Sequence, residues 1–192
     1  MTGDGLPLCV GRAAVAGPAA GKPHIRLAVP GDGPLLTAIE QSAGERFRSI
    51  PDIAWVADGD SRPPERYQAL IAAGATWVAL DGNGAAVGFL CGEPVGDALH
   101  IWELGVVLER QNQGFGRALI AHAMDYARAN GLPSVTLTTF RAVPWNEPAY
   151  RRAGFVTLPD EDLDPRLTAL LDAEDAAGLA RATRCAMRRA LA

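Results

Sequence analysis

Three residues along one short stretch have the types and spacing of an anion site. Gln111, Gly114 and Gly116 stand as Q-x-x-G-x-G between an apolar strand pattern and an amphipathic helical one. A helix start leaves about four backbone N–H groups without intrahelical partners, and its dipole adds roughly half a positive charge. Glycine removes the side chains that would hold a pyrophosphate away from that backbone. Just upstream, Glu103 interrupts the apolar run LHIWELGVV. An unpaired buried carboxylate is costly, so Glu103 is expected to face a cleft, a basic partner or a sheet edge. At a cleft it can take a proton. His100 is a second candidate base, but strand alternation puts it on the opposite face from Glu103. Downstream, Tyr150 heads Y-x-x-x-G-F with Gly154 and Phe155. Its phenol can donate a proton at a site or pack in a core.

These residues need elements to position them. Residues 24–29 read as a strand, and Gly31-Asp32-Gly33-Pro34 breaks it and opens a helix that Gly44 ends. Residues 45–62 are mixed and rich in turn formers, and Pro64 opens a second helix closed by Gly74. Strands at 76–80 and 85–93 flank Asp81-Gly82-Asn83-Gly84, a hairpin signal, and 94–98 turns into a third strand at 99–107. The helix after the glycine turn spans 114–130, with Leu119, Ile120, Ala123 and Ala127 inward. It stops at Asn130-Gly131-Leu132-Pro133.

Residues 134–140 alternate as a strand. A crossover helix separates this strand from 99–107, so the two should be parallel. A short helix at 146–153, with Asn146 placed as its N-cap, leads to a strand at 155–158. Asp164-Pro165 caps a last helix, Gly178 ends it, and 181–191 alternates as a final strand. The fold class is α/β: a mixed, mostly antiparallel sheet with one central parallel pair and helices on both faces.

Composition narrows the function. The 192 residues suit one domain over 24–192, behind a small-residue, glycine- and proline-rich segment at 1–23 that reads as a flexible tail. That segment lacks the basic start and apolar centre of a signal peptide, and no apolar run reaches the ~20 residues of a membrane span. Basic residues number 18 and acidic ones 22, a net charge of −4 without a Lys/Arg cluster, which argues against nucleic acid as partner. Cys9, Cys91 and Cys185 have neither metal-ligand nor redox spacing, so a reduced cytoplasmic protein without a metal is expected. The glycine pattern is neither G-x-G-x-x-G nor G-x-x-x-x-G-K-[ST], which disfavours dinucleotide or nucleotide binding.

The order of elements, the Q-x-x-G-x-G loop after an acid-bearing strand, and Tyr150-x-x-x-Gly154-Phe155 together resemble the GNAT superfamily of acyl-CoA-dependent N-acetyltransferases. The resemblance runs over roughly residues 24–191. It implies that the central parallel strands splay apart and admit the pantetheine of acetyl-CoA, the cosubstrate, against Val106, Val107 and Leu108. It also implies that Gln111, Gln113, Gly114, Phe115, Gly116 and Ala118 wrap the pyrophosphate through backbone N–H groups. Arg117 would help there, or else is a solvated first-turn arginine. Many relatives carry a cofactor-binding asparagine seven residues before the tyrosine. Asn146 lies only four before Tyr150, as a cofactor ligand or as a helix cap. Tyr150 would protonate the leaving thiolate and Glu103 would serve as general base. By the same resemblance Phe47, Trp55, Asp58, Phe140, Arg141 and Trp145 wall the acceptor site, although each aromatic fits a core equally well.

The expected activity is transfer of acetyl to a primary amine by direct attack in a ternary complex, since Cys91 and Cys185 are expected on strands away from the loop. The acidic balance leans toward a small-molecule amine over a protein amino group. A non-catalytic acyl-CoA-binding regulatory module would keep the loop and need neither Glu103 nor Tyr150. The chain is expected as a monomer or homodimer.

Overall fold

In the computed structural model of the chain, residues 23–59 and 64–191 are described, so all of the expected N-terminal tail but Pro23 lies outside them. Strand β1 (His24–Leu27) leads into helix α1 (Gly33–Gly44) and two 3₁₀ segments (Glu45–Ser49 and Pro51–Asp58). Helix α2 (Pro64–Ala72) follows, then the antiparallel strands β2 (Ala75–Leu80), β3 (Ala86–Val95) and β4 (Ala98–Val106). Helix α3 (Phe115–Ala129) crosses over to β5 (Ser134–Phe140). The chain ends with α4 (Glu147–Arg152), β6 (Val156–Thr157), α5 (Pro165–Ala176) and β7 (Arg184–Ala190).

The strands form one sheet in the order β1-β2-β3-β4-β5-β7-β6. Every neighbouring pair is antiparallel except β4 with β5. The parallel pair follows from the crossover through α3, which returns the chain to the same end of the sheet. It is the expected mixed fold.

Alternation sorts the side chains onto two faces. Trp77, Leu90, Leu99, Ile101, Val135 and Leu137 pack under the α3 stripe of Leu119, Ile120, Ala123 and Ala127, all buried. Val78, Phe89 and Cys91 point the other way, against Leu36 and Ile39 of α1 and Tyr67, Leu70 and Ile71 of α2. On that second face Leu167 and Leu171 of α5 cover Ala186 of β7. Asp164 caps α5 as expected, its Oδ1 accepting from Leu167 N at 2.8 Å.

Residues 45–58 differ from the expected irregular turns by winding into 3₁₀ helix. Beginning at Pro51, the second of these segments has φ fixed by the proline ring at its first position, which suits a short tight helix. The last strand starts three residues later than 181, because Arg181–Thr183 makes one 3₁₀ turn.

Candidate active site

The parallel pairing of β4 with β5 is short. It runs from Ala98↔Ser134 to Ile101↔Leu137 and stops there, while both strands continue. From Trp102 onward the edge of β4 that faces β5 has no strand beside it. An unpaired edge is a row of open donors and acceptors, ready for another extended chain. Between the diverging strands lies a seam open toward their C-terminal ends.

A bulge decides which face Glu103 takes beside this seam. Cys91 of β3 pairs with Glu103 and Gly92 with Ile101, which leaves Trp102 without a partner. One extra residue resets the alternation beyond it. Glu103 therefore shares a face with Cys91, Trp102 and His100 rather than lying opposite His100. The expectation from simple alternation is corrected here, and so is the expectation that Cys91 is remote, since it stands directly across from Glu103. Cys91 has no exposed surface and belongs to the core of that face. Cys185, across from Thr139 on β7, is equally buried, and burial pushes its thiol up to about 11. Neither thiol is presented to the seam as a nucleophile.

His100 loses its claim as a base through burial, not through its face. It is 1% exposed, and its Nδ1 lies 3.0 Å from Thr136 Oγ1. Burial, reinforced by the nearby Arg166 guanidinium, drops its pKa to about 3, so it stays neutral and captive.

Tyr150 comes from the other side of the sheet. It sits on α4, packs its ring 5.7 Å from Phe155 and belongs to the α3-side core, yet its phenol feels the Glu103 carboxylate on the far face. Burial first and that carboxylate second raise its pKa above the ordinary phenol range. Across the seam, the phenol lies within electrostatic range of the acid. A further phenol lies on Glu103's own face: Tyr67 of α2 is fully buried, and burial, then Glu103 and Glu40, hold its proton in place.

The Q-x-x-G-x-G turn has the backbone of an anion cradle. Gly114 is the N-cap of α3 at φ 92°, a left-handed conformation that a side chain would strain, and Asn112 also has positive φ, at 61°. The first-turn N–H groups of Phe115, Gly116 and Arg117 open the helix, while Ala118 N already bonds Gly114 O at 3.0 Å. A Cβ on Gly116 would meet only Val106 Cγ2 at 3.8 Å. Phe115 turns its ring into the core, so only its backbone faces outward. Arg117 is exposed, and the side chain of Gln113 is taken by the Glu109 carbonyl at 2.9 Å. Gln111 ties the loop to the strand, donating through Nε2 to Val106 O at 3.0 Å. Val107 N donates to Val87 O, and Leu108 N to Ser42 Oγ at 3.1 Å. Because Val107 N turns to β3 while Val106 O and Leu108 N are taken by Gln111 and Ser42, the open stretch facing β5 lies between Trp102 and Val106.

Asn146 occupies the N-cap position of α4, but its side chain does not cap. Its Nδ2 donates to Thr139 Oγ1 at 2.9 Å, while its carbonyl accepts from Ala149 N and Tyr150 N. The expected cap is corrected: the amide is spent on pinning the loop before Tyr150 to β5.

Over the seam's wide end stands an aromatic wall. Phe47 packs against Phe140 at 5.6 Å and Trp145 at 5.8 Å, bringing together three of the four aromatics expected at an acceptor site. Trp55, 47% exposed on the second 3₁₀ segment, makes no ring contact with them, and Asp58 there pairs with Arg48 at 2.7 Å. Arg141 Nε bonds Arg184 O, holding the start of the 140–145 loop to β7. Ser42 and Arg46 bond residues at the site, and the buried Tyr67, with Glu40 beside it, lies on Glu103's face; sequence reasoning missed all four. No local motif marks them, because their placement depends on how α1 and α2 lie across the sheet. A separate concavity of about 350 Å³ at the β3–β4 turn, lined by Asp97, Asp164 and Arg166, lies at the opposite end of β4. Among the described residues no helix is long and apolar enough to cross a membrane.

Residues 40–155 match the model of the acetyltransferase (GNAT) family. A similar solved structure is the PaiA N-acetyltransferase of Thermoplasma acidophilum in complex with coenzyme A. It has 14% identity over 89% of this chain and 100% of that one, with a TM-score of 0.64. The N-acetylglutamate synthase of Neisseria gonorrhoeae, complexed with coenzyme A and N-acetyl-glutamate, is 21% identical over 90% of this chain and 36% of that one, at 0.63. A ribosomal-protein alanine N-acetyltransferase of Escherichia coli is 15% identical over 88% and 94%, at 0.60. At such identities the likeness is one of fold.

Proposed function

The chain belongs to the acetyltransferase (GNAT) family, and from that premise we propose that it acetylates a small primary amine by direct attack within a ternary complex. The carrying observation is the seam that opens where β4–β5 pairing stops, with Glu103 on one face of the sheet and Tyr150, on the other, within electrostatic range of it. The donor fits this chain: an unpaired strand edge suits the amide-bearing pantetheine, and the left-handed Gly114 with the first-turn N–H groups suits a pyrophosphate. Acetyl-CoA supplies an activated thioester carbonyl.

Glu103 accepts the proton that the ammonium must lose before its nitrogen can attack. As the new C–N bond forms and the C–S bond breaks, Tyr150 gives its proton to the departing sulfur. The products are the amide and the free thiol. Among the described residues both thiols, Cys91 and Cys185, are buried, which disfavours an acyl-enzyme route through either and suits a reduced, cytoplasmic setting. Fold relatives act on both kinds of acceptor, as the names N-acetylglutamate synthase and ribosomal-protein alanine N-acetyltransferase state. The packed aromatic wall of Phe47, Phe140 and Trp145 favours the small acceptor.

The direct test is free-thiol release from acetyl-CoA across a panel of amines. A supporting measurement is the melting temperature. Coenzyme A at about 100 times its Kd is expected to add about 2.7 kcal/mol, a rise of roughly 5–10 °C for a chain of this size. ATP and NAD should do less. Equal shifts from all three would reduce the loop to a generic anion trap.

Gly116→Val separates the cradle from the fold. The site has room for its Cβ, so the melting temperature without ligand should stay within about 2 °C. Coenzyme A binding should vanish in calorimetric titration, because the side chain stands where a phosphate must approach the backbone. Retained binding would mean that the glycine serves only the turn.

A further inference from the structure

Arg46 lies across the wide end of the seam. Its Nη1 donates to Gln111 Oε1 at 2.9 Å, on the β4 side, and its guanidinium stacks 4.1 Å above the ring of Trp145, on the β5 side. Arg184 is stacked in a similar way, and the two arginines differ in one respect. Arg184 sits 4.5 Å over Phe140 and is held by both oxygens of Glu174, at 2.8 and 2.9 Å. Arg46 has no carboxylate partner among the described residues, although it is half-buried between the Gln111 amide and the Trp145 ring. Burial lowers its pKa, and among the described residues no acid acts in the opposite direction. A desolvated cation without a counter-charge is costly, and a fold that keeps one has a use for it.

The geometry also states what would fit. With Nη1 committed to Gln111, the Nε–Nη2 edge of the guanidinium is left, two parallel N–H donors spaced for a planar carboxylate. Trp145 fixes the plane of the fork from one face. The next residue, Phe47, belongs to the aromatic wall, so this edge borders the acceptor's space.

We propose that Arg46 is a specificity residue that receives a carboxylate of the acceptor, so that the substrate is an amine that also carries an acid group. The proposal rests on the acetyltransferase reading above and narrows it to amino-acid-like acceptors. The other anions that visit this region are the phosphates of coenzyme A, and the experiment separates the two sources.

The measurement is kcat/KM for matched pairs: α-amino acids and ω-amino acids of increasing length, each against its carboxamide. Wild type, Arg46→Ala and Arg46→Lys are compared, with Kd for coenzyme A and for its 3′-dephospho form measured alongside. Wild type should prefer the best carboxylate over its amide by at least about tenfold. Arg46→Ala should lower kcat/KM for that carboxylate about 10²-fold, the scale of losing one partner of a hydrogen-bonded charge pair, and leave its amide within about threefold. Arg46→Lys should restore part of the preference, and neither Kd for the donor should move. Absence of a preference in wild type overturns the proposal, as does an equal loss on both members of a pair. Weakened donor binding with the preference intact also overturns it, and assigns Arg46 to the phosphates.

If no amine is turned over, the acetyltransferase reading fails separately. Binding still decides the role of Arg46: with coenzyme A present, N-acetyl amino acids should raise the melting temperature more than their amides, in wild type and not in Arg46→Ala. Equal shifts overturn it.

Discussion

Replacing Tyr150 by phenylalanine is expected to lower kcat about 10²- to 10⁴-fold, the reach of one positioned proton donor. Affinity for coenzyme A should stay nearly unchanged, because the phenol is needed only as sulfur takes on charge. The substitution keeps the ring and its contact with Phe155, so the melting temperature should hold within a few degrees. A collapse of stability in parallel with activity would make Tyr150 a packing residue.

Its pH behaviour follows from its surroundings. Burial and the Glu103 carboxylate raise the phenol's pKa, so Tyr150 remains a proton donor throughout the neutral and moderately alkaline range. The wild-type profile should therefore show no descending limb from Tyr150 below about pH 10. The Tyr150→Phe deficit should be uniform over that range, since the departing sulfur lacks its donor at every pH. A deficit confined to one end of the profile would assign the proton to another group.

The Tyr150 prediction draws on the part of the molecule that was legible in the sequence. The crossover helix dictates the parallel pair, the Q-x-x-G-x-G turn marks the helix N-terminus, and Y-x-x-x-G-F places the phenol beside the glycine turn. Each is written in one motif or in consecutive elements of the chain. What escaped depends on partners far away in the chain. Nothing in LHIWELGVV announces that Trp102 is bulged, because a bulge is a mismatch of lengths between β3 and β4 and not a property of either alone. Strict alternation therefore put His100 and Glu103 on opposite faces when they share one. Asn146 has the right type for a cap, but Thr139 of β5 offers its amide another bond. Arg46 and Ser42 follow α1, whose apolar stripe fixes which face is inward but not what its C-terminal end will reach.

Glu103→Gln is expected to cost the most at neutral pH and the least at high pH. An alkylammonium with a pKa near 10.4 leaves only about one molecule in 2,500 as free amine at pH 7. A carboxylate that takes the proton within the complex removes that scarcity, so its loss can cost up to roughly 10³-fold, inside the usual span for a general base. As pH rises, solution delivers the free amine by itself, and the deficit should shrink toward a few-fold near pH 10. The Tyr150→Phe deficit should not shrink, and that contrast assigns the two roles. Donor affinity should be retained in both. Glutamine keeps the volume and polarity of the position beside the bulge, so an unfolded variant is not expected at a half-buried site. An unchanged pH profile with near-normal turnover would remove Glu103 from the mechanism. The next candidate would not be His100, held neutral beneath the sheet with its pKa near 3. It would be Glu40, whose carboxylate acts with that of Glu103 on the buried Tyr67 phenol and could end a water chain from the amine.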